Sequence, residues 1–242
     1  CRPDQADRDS SHEEDQQEWA QVALMQLPEL ESLGDLTNCR VLVRCDFNVP
    51  IAAGEIQDDF RVRAALPTLT YLMEAGASVT TCSHLGRPGG VVDPTFSMDP
   101  VRSLLAELAP GIGVLENLRF DPGETGNDPA FIQALVEDQD VYVNDAFGAC
   151  HRNHASVVGP PVHLPSAAGR LLANEVRVLD ALRTQPRRPF LVILGGAKVS
   201  DKLGVIDALL EVADDLIIGG GMCFSFLASK GASVESSLLE EE

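Results

Sequence analysis

The amino-acid sequence predicts an α/β protein, a parallel sheet with helices on both faces. Two observations carry that reading. From Arg40 onward, short apolar runs rich in Val, Ile and Leu alternate with longer segments whose apolar residues recur at helical spacing. Helix-start signals, Asp followed by Pro at Asp99-Pro100 and Asp128-Pro129, stand between the runs. Strands that alternate with helices need crossover connections, and such connections build parallel sheets covered on both sides.

Residues 41–43 (Val-Leu-Val) form the first expected strand. Residues 60–75 form a helix that Gly76 closes, and residues 77–82 a second strand. A helix over 100–108 follows, with Asp99 as its N-cap and Pro100 in the first position. Residues 112–115 are a short strand, 129–137 a helix that again opens on Asp-Pro, and 141–143 a strand. A long helix is expected over 167–182, with Leu171, Leu172, Val176, Leu179 and Leu182 as its apolar positions. Thr184-Gln-Pro-Arg-Arg-Pro189 reads as a linker. Two more strand–helix units come after it, over 190–210 and 216–228. The sheet is Rossmann-like, yet no Gly-x-Gly-x-x-Gly follows the first strand, which argues against a dinucleotide-dependent dehydrogenase. The expected organisation is an acidic, disordered tail with a short helix at 19–27 (together 1–32), a first domain over 33–183, a linker over 184–189 and the start of a second domain over 190–242.

The composition is that of a globular protein: 45% hydrophobic and 23% charged among 242 residues. The net charge of -19 repels phosphate polymers and anionic bilayers, so neither nucleic acid nor membrane is an expected partner. No apolar run reaches the length of a membrane span. Six cysteines without a Cys-x-x-Cys pair fit reduced thiols in the cytoplasm.

In parallel α/β sheets, ligands bind at the carboxyl ends of the strands. The loops that leave those ends here are rich in arginine and histidine. They are Arg44-Cys-Asp46-Phe-Asn48, Ser83-His84-Leu-Gly86-Arg87, Glu116-Asn117-Leu-Arg119, and Asn144-Asp145 through His151-Arg152-Asn-His154. A lone arginine at a strand end is ordinarily a solvated charge. Four separate loops that bring Arg44, Arg87, Arg119 and Arg152 to one edge point instead to a multiply charged small anion held by paired bonds. Asp46 and Asn48 can also serve only the loop backbone. Cys150, His151 and His154 lack a carboxylate or second cysteine at ligand spacing, so no metal is expected.

Residues 195–202 read Gly-Gly-Ala-Lys-Val-Ser-Asp-Lys and hold Lys198 and Lys202, two of the chain's three lysines. A strand, a glycine turn and a helix start together offer free N–H groups and a positive dipole end to an anion. The spacing is not that of a Walker A loop. A second glycine turn, Gly219-Gly220-Gly221, also follows a strand.

Together these segments resemble the phosphoglycerate kinase family. The matching stretches are Val43-Arg-Cys-Asp-Phe-Asn-Val-Pro50, Arg61 ahead of Ala64-Ala-Leu-Pro67, Ser83-His-Leu-Gly-Arg-Pro88, Glu116-Asn-Leu-Arg-Phe120, Asn144-Asp-Ala-Phe-Gly148, His151-Arg152, the 195–202 segment and Ile218-Gly-Gly-Gly-Met222. The likeness runs over residues 33–242. It implies a two-domain kinase architecture, the second domain incomplete in this chain. A 3-phosphoglycerate site is implied at Arg44, Asp46, Asn48, Arg61, His84, Arg87, Arg119 and Arg152, with His151 and His154 beside it. Mg-ATP or Mg-ADP, as substrate, is implied at Lys198, Lys202, Gly219, Gly220 and Gly221. The implied reaction is reversible phosphoryl transfer between 1,3-bisphosphoglycerate and ADP, with no covalent intermediate. Arg61 and Lys198 take the catalytic role of neutralising charge on the transferred group. A cytoplasmic monomer of glycolysis is the implied setting.

Two departures from the family pattern shape further expectations. Residues 100–116 are too few for the extra strand–helix unit that the family carries there, so the sheet is expected to lack a unit or be rewired. The family's later Trp-Asn-Gly-Pro segment and its terminal Gly-Gly-Gly-Asp turn have no counterpart. The sequence starts at Cys1 and stops at Leu238-Leu-Glu-Glu-Glu242, and is expected to be an incomplete form that turns over slowly or not at all. The alternative is a non-catalytic 3-phosphoglycerate-binding fragment.

Overall fold

The computed structural model of the chain describes residues 27–237 and 239–240. The acidic stretch and nearly all of the helix expected at 19–27 lie outside the described residues. The chain divides into two compact units, one ending at Val176 and the other starting at Arg177. That division falls inside a helix, upstream of the 184–189 segment.

In chain order the strands of the first unit are β1 (Arg40–Arg44), β2 (Ile51–Ala52), β3 (Glu55–Ile56), β4 (Ser78–Cys82), β5 (Gly113–Val114), β6 (Val141–Asn144) and β7 (Ser166–Ala168). Its helices are α1 (Phe60–Glu74), α2 (Asp99–Leu108), α3 (Pro122–Gly126), α4 (Pro129–Val136), α5 (Ala155–Val158) and α6 (Pro160–His163), and α7 (Arg170–Thr184) crosses the division. Five strands pair in the order β5-β4-β1-β6-β7, all parallel. β2 and β3 form a small separate hairpin.

The central strand shows why this is a parallel sheet. Val41, Leu42 and Val43 are all fully buried. Val41 and Val43 join a core with Val62, Leu69 and Leu72 of α1 and Val101 and Leu105 of α2. Leu42 faces the other side, with Cys82, Leu118, Leu135 and Tyr142. A strand covered on both faces is apolar at every position and does not alternate.

Several local expectations need correction. The helix expected over 100–108 begins at Asp99, so Asp99 is not its cap. The cap position is Met98, whose N–H donates to Glu116 Oε1 at 2.8 Å. Asp128, by contrast, does cap α4: its carboxylate accepts from the N–H groups of Ala130 and Phe131. The helix expected from residue 167 starts only at Arg170. Ser166–Ala168 is drawn into the sheet instead, with Tyr142 donating to Pro165 O and Gly169 to Asn144 O. Pairing with β6 outweighs the helical preference of Ala167 and Ala168. Ahead of residue 33, Pro28 O accepts from Ala168 N–H, and Leu30 is buried. Between α2 and β5 there is no further strand–helix unit. The sheet ends on that side with β5, two residues paired to Thr80 and Thr81.

The second unit contains β8 (Leu191–Gly195), α8 (Leu203–Leu210), β9 (Asp215–Gly219) and α9 (Met222–Ser229). These are the two strand–helix units expected, and their strands are parallel. Leu191, Ile193 and Ile217 leave one face of the pair exposed. Among the described residues no helix is long and apolar enough to cross a membrane.

Candidate functional site

The carboxyl ends of β1, β4 and β6, with the loop after β5, converge as parallel-sheet topology requires. Among the loops lies a recess of about 310 Å³ lined by Arg87, Gly89, Gly90, Arg119, Thr125, Arg152 and His154. Three of the four strand-end arginines therefore meet.

Gly86 ties the loops together. Its N–H donates to Asn48 Oδ1 at 2.9 Å, and its carbonyl accepts from Arg119 Nη1 at 2.7 Å. It has φ of +62°, and a Cβ there would stand 2.3 Å from the Phe96 ring, so only glycine fits. Asn117 clamps the same region: its Oδ1 accepts from the N–H groups of Leu85 and Arg119, and its Nδ2 donates to the carbonyls of Leu85 and Phe96. Arg119 is thereby fixed, only 8% exposed, with Nε buried and unpartnered among the described residues. Burial and the neighbouring Arg152, Arg44 and Arg87 pull its pKa down, while Glu124 opposes them.

Arg44 is fully buried and does not line the recess. Its Nε donates to Ser156 Oγ at 2.8 Å, its Nη1 to Cys45 O, and its Nη2 meets His84 Nδ1 at 3.0 Å. His84, its partner, is likewise not among the recess residues. Burial, then Arg44 and Arg119, push the His84 pKa down to about 3. Asp46 forms an ion pair with the half-exposed Arg61 and accepts from Asn48 N–H. A Cβ on Gly148 would lie 2.9 Å from Asp46 Oδ2, so the loop after β6 approaches this carboxylate closely. His151 is exposed and is not among the recess residues; His154 is buried and is.

In the second unit the two glycine turns stack on each other. Gly220, at φ +67°, lies so close that a Cβ would stand 2.9 Å from Gly196 O, and Met222 N–H donates to that carbonyl at 2.9 Å. Lys202 lies over Gly196, with Nζ 3.0 Å from where a Cβ would be. Lys198 is exposed. Glu240 accepts from the N–H groups of Val199 and Ser200 and from Ser200 Oγ, and those bonds hold its pKa down.

Sequence reasoning missed Glu124 and Ser156. Glu124 is fully buried on α3 and accepts from Ser156 N–H and Oγ at 2.9 and 2.7 Å. The available signal was a carboxylate at the start of a short helix, directly after the Arg119 loop.

Fold and site define a class: a parallel α/β protein with an arginine-lined recess at the strand ends, followed in the chain by a strand–glycine-turn–helix unit. A profile of the phosphoglycerate kinase family matches residues 30–112 and 107–242, two stretches that overlap over 107–112. The chain belongs to the phosphoglycerate kinase family. It is 52% identical over 231 residues to the phosphoglycerate kinase of Rubrobacter xylanophilus, covering 86% of this chain and 59% of that one. Against the phosphoglycerate kinase of Salinispora tropica the identity is 51% over 238 residues, with 86% and 60% covered. The solved phosphoglycerate kinase of Coxiella burnetii superposes with a TM-score of 0.80 at 35% identity, covering 89% of this chain and 60% of that one. The Pyrococcus horikoshii enzyme gives 0.74 at 29%, with 86% and 59% covered. The chain thus spans about three-fifths of the length of these relatives.

Proposed function

We propose that the recess binds 3-phosphoglycerate and 1,3-bisphosphoglycerate, and that the glycine turns of the second unit hold the phosphates of ADP or ATP as the magnesium complex. The activity served is reversible phosphoryl transfer between 1,3-bisphosphoglycerate and ADP, in a cytoplasmic, monomeric glycolytic enzyme. The domains are read as 33–183 and 190–242, joined by 184–189. One observation carries the proposal: Arg119, buried with a free Nε, beside Arg87 and Arg152 in one recess. In a chain of net charge -19, such a gathering of cations is a local reversal of sign that an anion would satisfy.

The roles assigned in this reading are these. Arg87, Arg119 and Arg152 hold phosphate or carboxylate oxygens. Asp46 orients Arg61, Asn48 fixes the Gly86 loop, and Arg44 supports neutral His84. Lys198 and Lys202 meet nucleotide phosphate, and Arg61 and Lys198 offset charge on the group in transit. Such transfer needs alignment and charge neutralisation more than bond-making by the protein.

A second reading, 3-phosphoglycerate binding without turnover, is favoured by Glu240. Its carboxylate already occupies two N–H groups of the loop assigned to nucleotide. Calorimetry with 3-phosphoglycerate and with Mg-ADP, alongside ATP formation from 1,3-bisphosphoglycerate, separates the two. ATP formation that disappears in Lys198→Ala supports the enzyme. Binding of 3-phosphoglycerate with no ATP formed supports the second reading.

A further inference from the structure

His154, on the wall of the recess, is paired with a buried carboxylate that phosphate binding alone does not need. Glu124 is fully buried, and its carboxylate is fixed by the two Ser156 bonds. Its Oε1 lies 3.7 Å from His154 Nδ1. His154 is 8% exposed, lines the recess, and its Nδ1 has no hydrogen-bond partner among the described residues. The imidazole therefore stands between a buried carboxylate and the space assigned to the anion.

The charged and titratable groups facing His154 are Glu124 from α3, Arg119 after β5, Arg152 after β6, Arg44 at the end of β1, and His84 after β4. In the anion-free protein, burial first and then the arginines hold the His154 pKa below its ordinary value, and Glu124 alone pulls upward. A dianion in the recess would cancel most of the arginine field. The imidazole would then lie between two negative groups.

We propose that anion binding in the recess is coupled to uptake of one proton by the His154 imidazole, with Glu124 as the carboxylate that holds the imidazolium. The proton comes from solvent and enters the bare ring nitrogen; no other bond changes. The proposal rests on the anion-site reading above. The sign follows from linkage: affinity rises as pH falls through the His154 pKa of the complex, and levels off below that of the free protein.

The test is ¹⁵N NMR of the His154 ring in the full chain, titrated with sulfate, which does not itself titrate near neutrality, and then with 3-phosphoglycerate. Saturation should convert the ring from the neutral to the imidazolium pattern. Sulfate affinity should strengthen by up to about tenfold per pH unit within the linked window. His154→Gln should flatten that dependence, and Glu124→Gln should move it to lower pH. The wild-type spectrum decides the matter if Glu124→Gln does not fold. If 3-phosphoglycerate binds and His154 stays neutral, this proposal is overturned while the anion site stands. If neither anion binds, both fall.

Discussion

Arg44 Nη2 stands 3.0 Å from His84 Nδ1. A guanidinium can only donate, so the lone pair of His84 is on Nδ1 and its proton on Nε2. A buried cation thus sets the tautomer of a histidine on the loop that follows β4.

Neutral His84 has a pH consequence. Its folded pKa is about 3, against an ordinary 6.5, so the unfolded chain binds the proton more readily. The stability that neutral His84 contributes is fully present above about 6.5 and is lost as pH falls toward about 3. Ring ¹⁵N shifts should show His84 neutral at pH 5. Denaturant midpoints should fall with acid less steeply in His84→Gln than in the wild type.

The links between Arg44, Ser156 and Glu124 are buried, so cutting them should be costly. Ser156→Ala leaves Arg44 Nε and one Glu124 oxygen without their partner, at about 1–3 kcal/mol. Glu124→Ala removes the carboxylate bonded to Ser156 and, with it, a buried negative charge facing Arg119 and His154, at about 3–5 kcal/mol. Denaturant unfolding of the two variants should rank them in that order.

Asn117 serves two loops at once. Asn117→Ala should cost about 1–3 kcal/mol, because buried carbonyl and N–H groups of Leu85 and Arg119 lose their partner. It should also weaken anion binding, since the Arg119 backbone is no longer anchored. Unchanged affinity would show that the contact of Arg119 with Gly86 O suffices to hold it.

The glycine turns make a paired prediction. Gly220→Ala forces a left-handed backbone on alanine, at about 1–2 kcal/mol, and adds a clash with Gly196 backbone. Gly219→Ala meets only Leu194 O at 3.8 Å, an ordinary contact. Hydrogen exchange of β8 and β9 amides should quicken in the first variant and not in the second.

Much of this was legible in the sequence because its signals are local. The apolar runs of β1, β4 and β6, the Asp128 cap and the arginines at strand ends need only neighbouring residues to be read. β7 was not legible, because Ser166-Ala-Ala168 carries no strand signal and is recruited by β6. Nor was the burial of Arg44: sequence places it at a strand end, but α5, through Ser156, is what encloses it. Glu124 matters because α3 packs against the segment that carries Ser156, a relationship between residues 32 apart.

The recess as the binding site of a phosphorylated acid is tested most directly by calorimetry of 3-phosphoglycerate against the wild type and Arg119→Ala. The wild type should bind without nucleotide, and Arg119→Ala should lose about 1.5–3 kcal/mol, the worth of a charged hydrogen bond. Equal affinity in the two proteins, or no binding by the wild type, would contradict it.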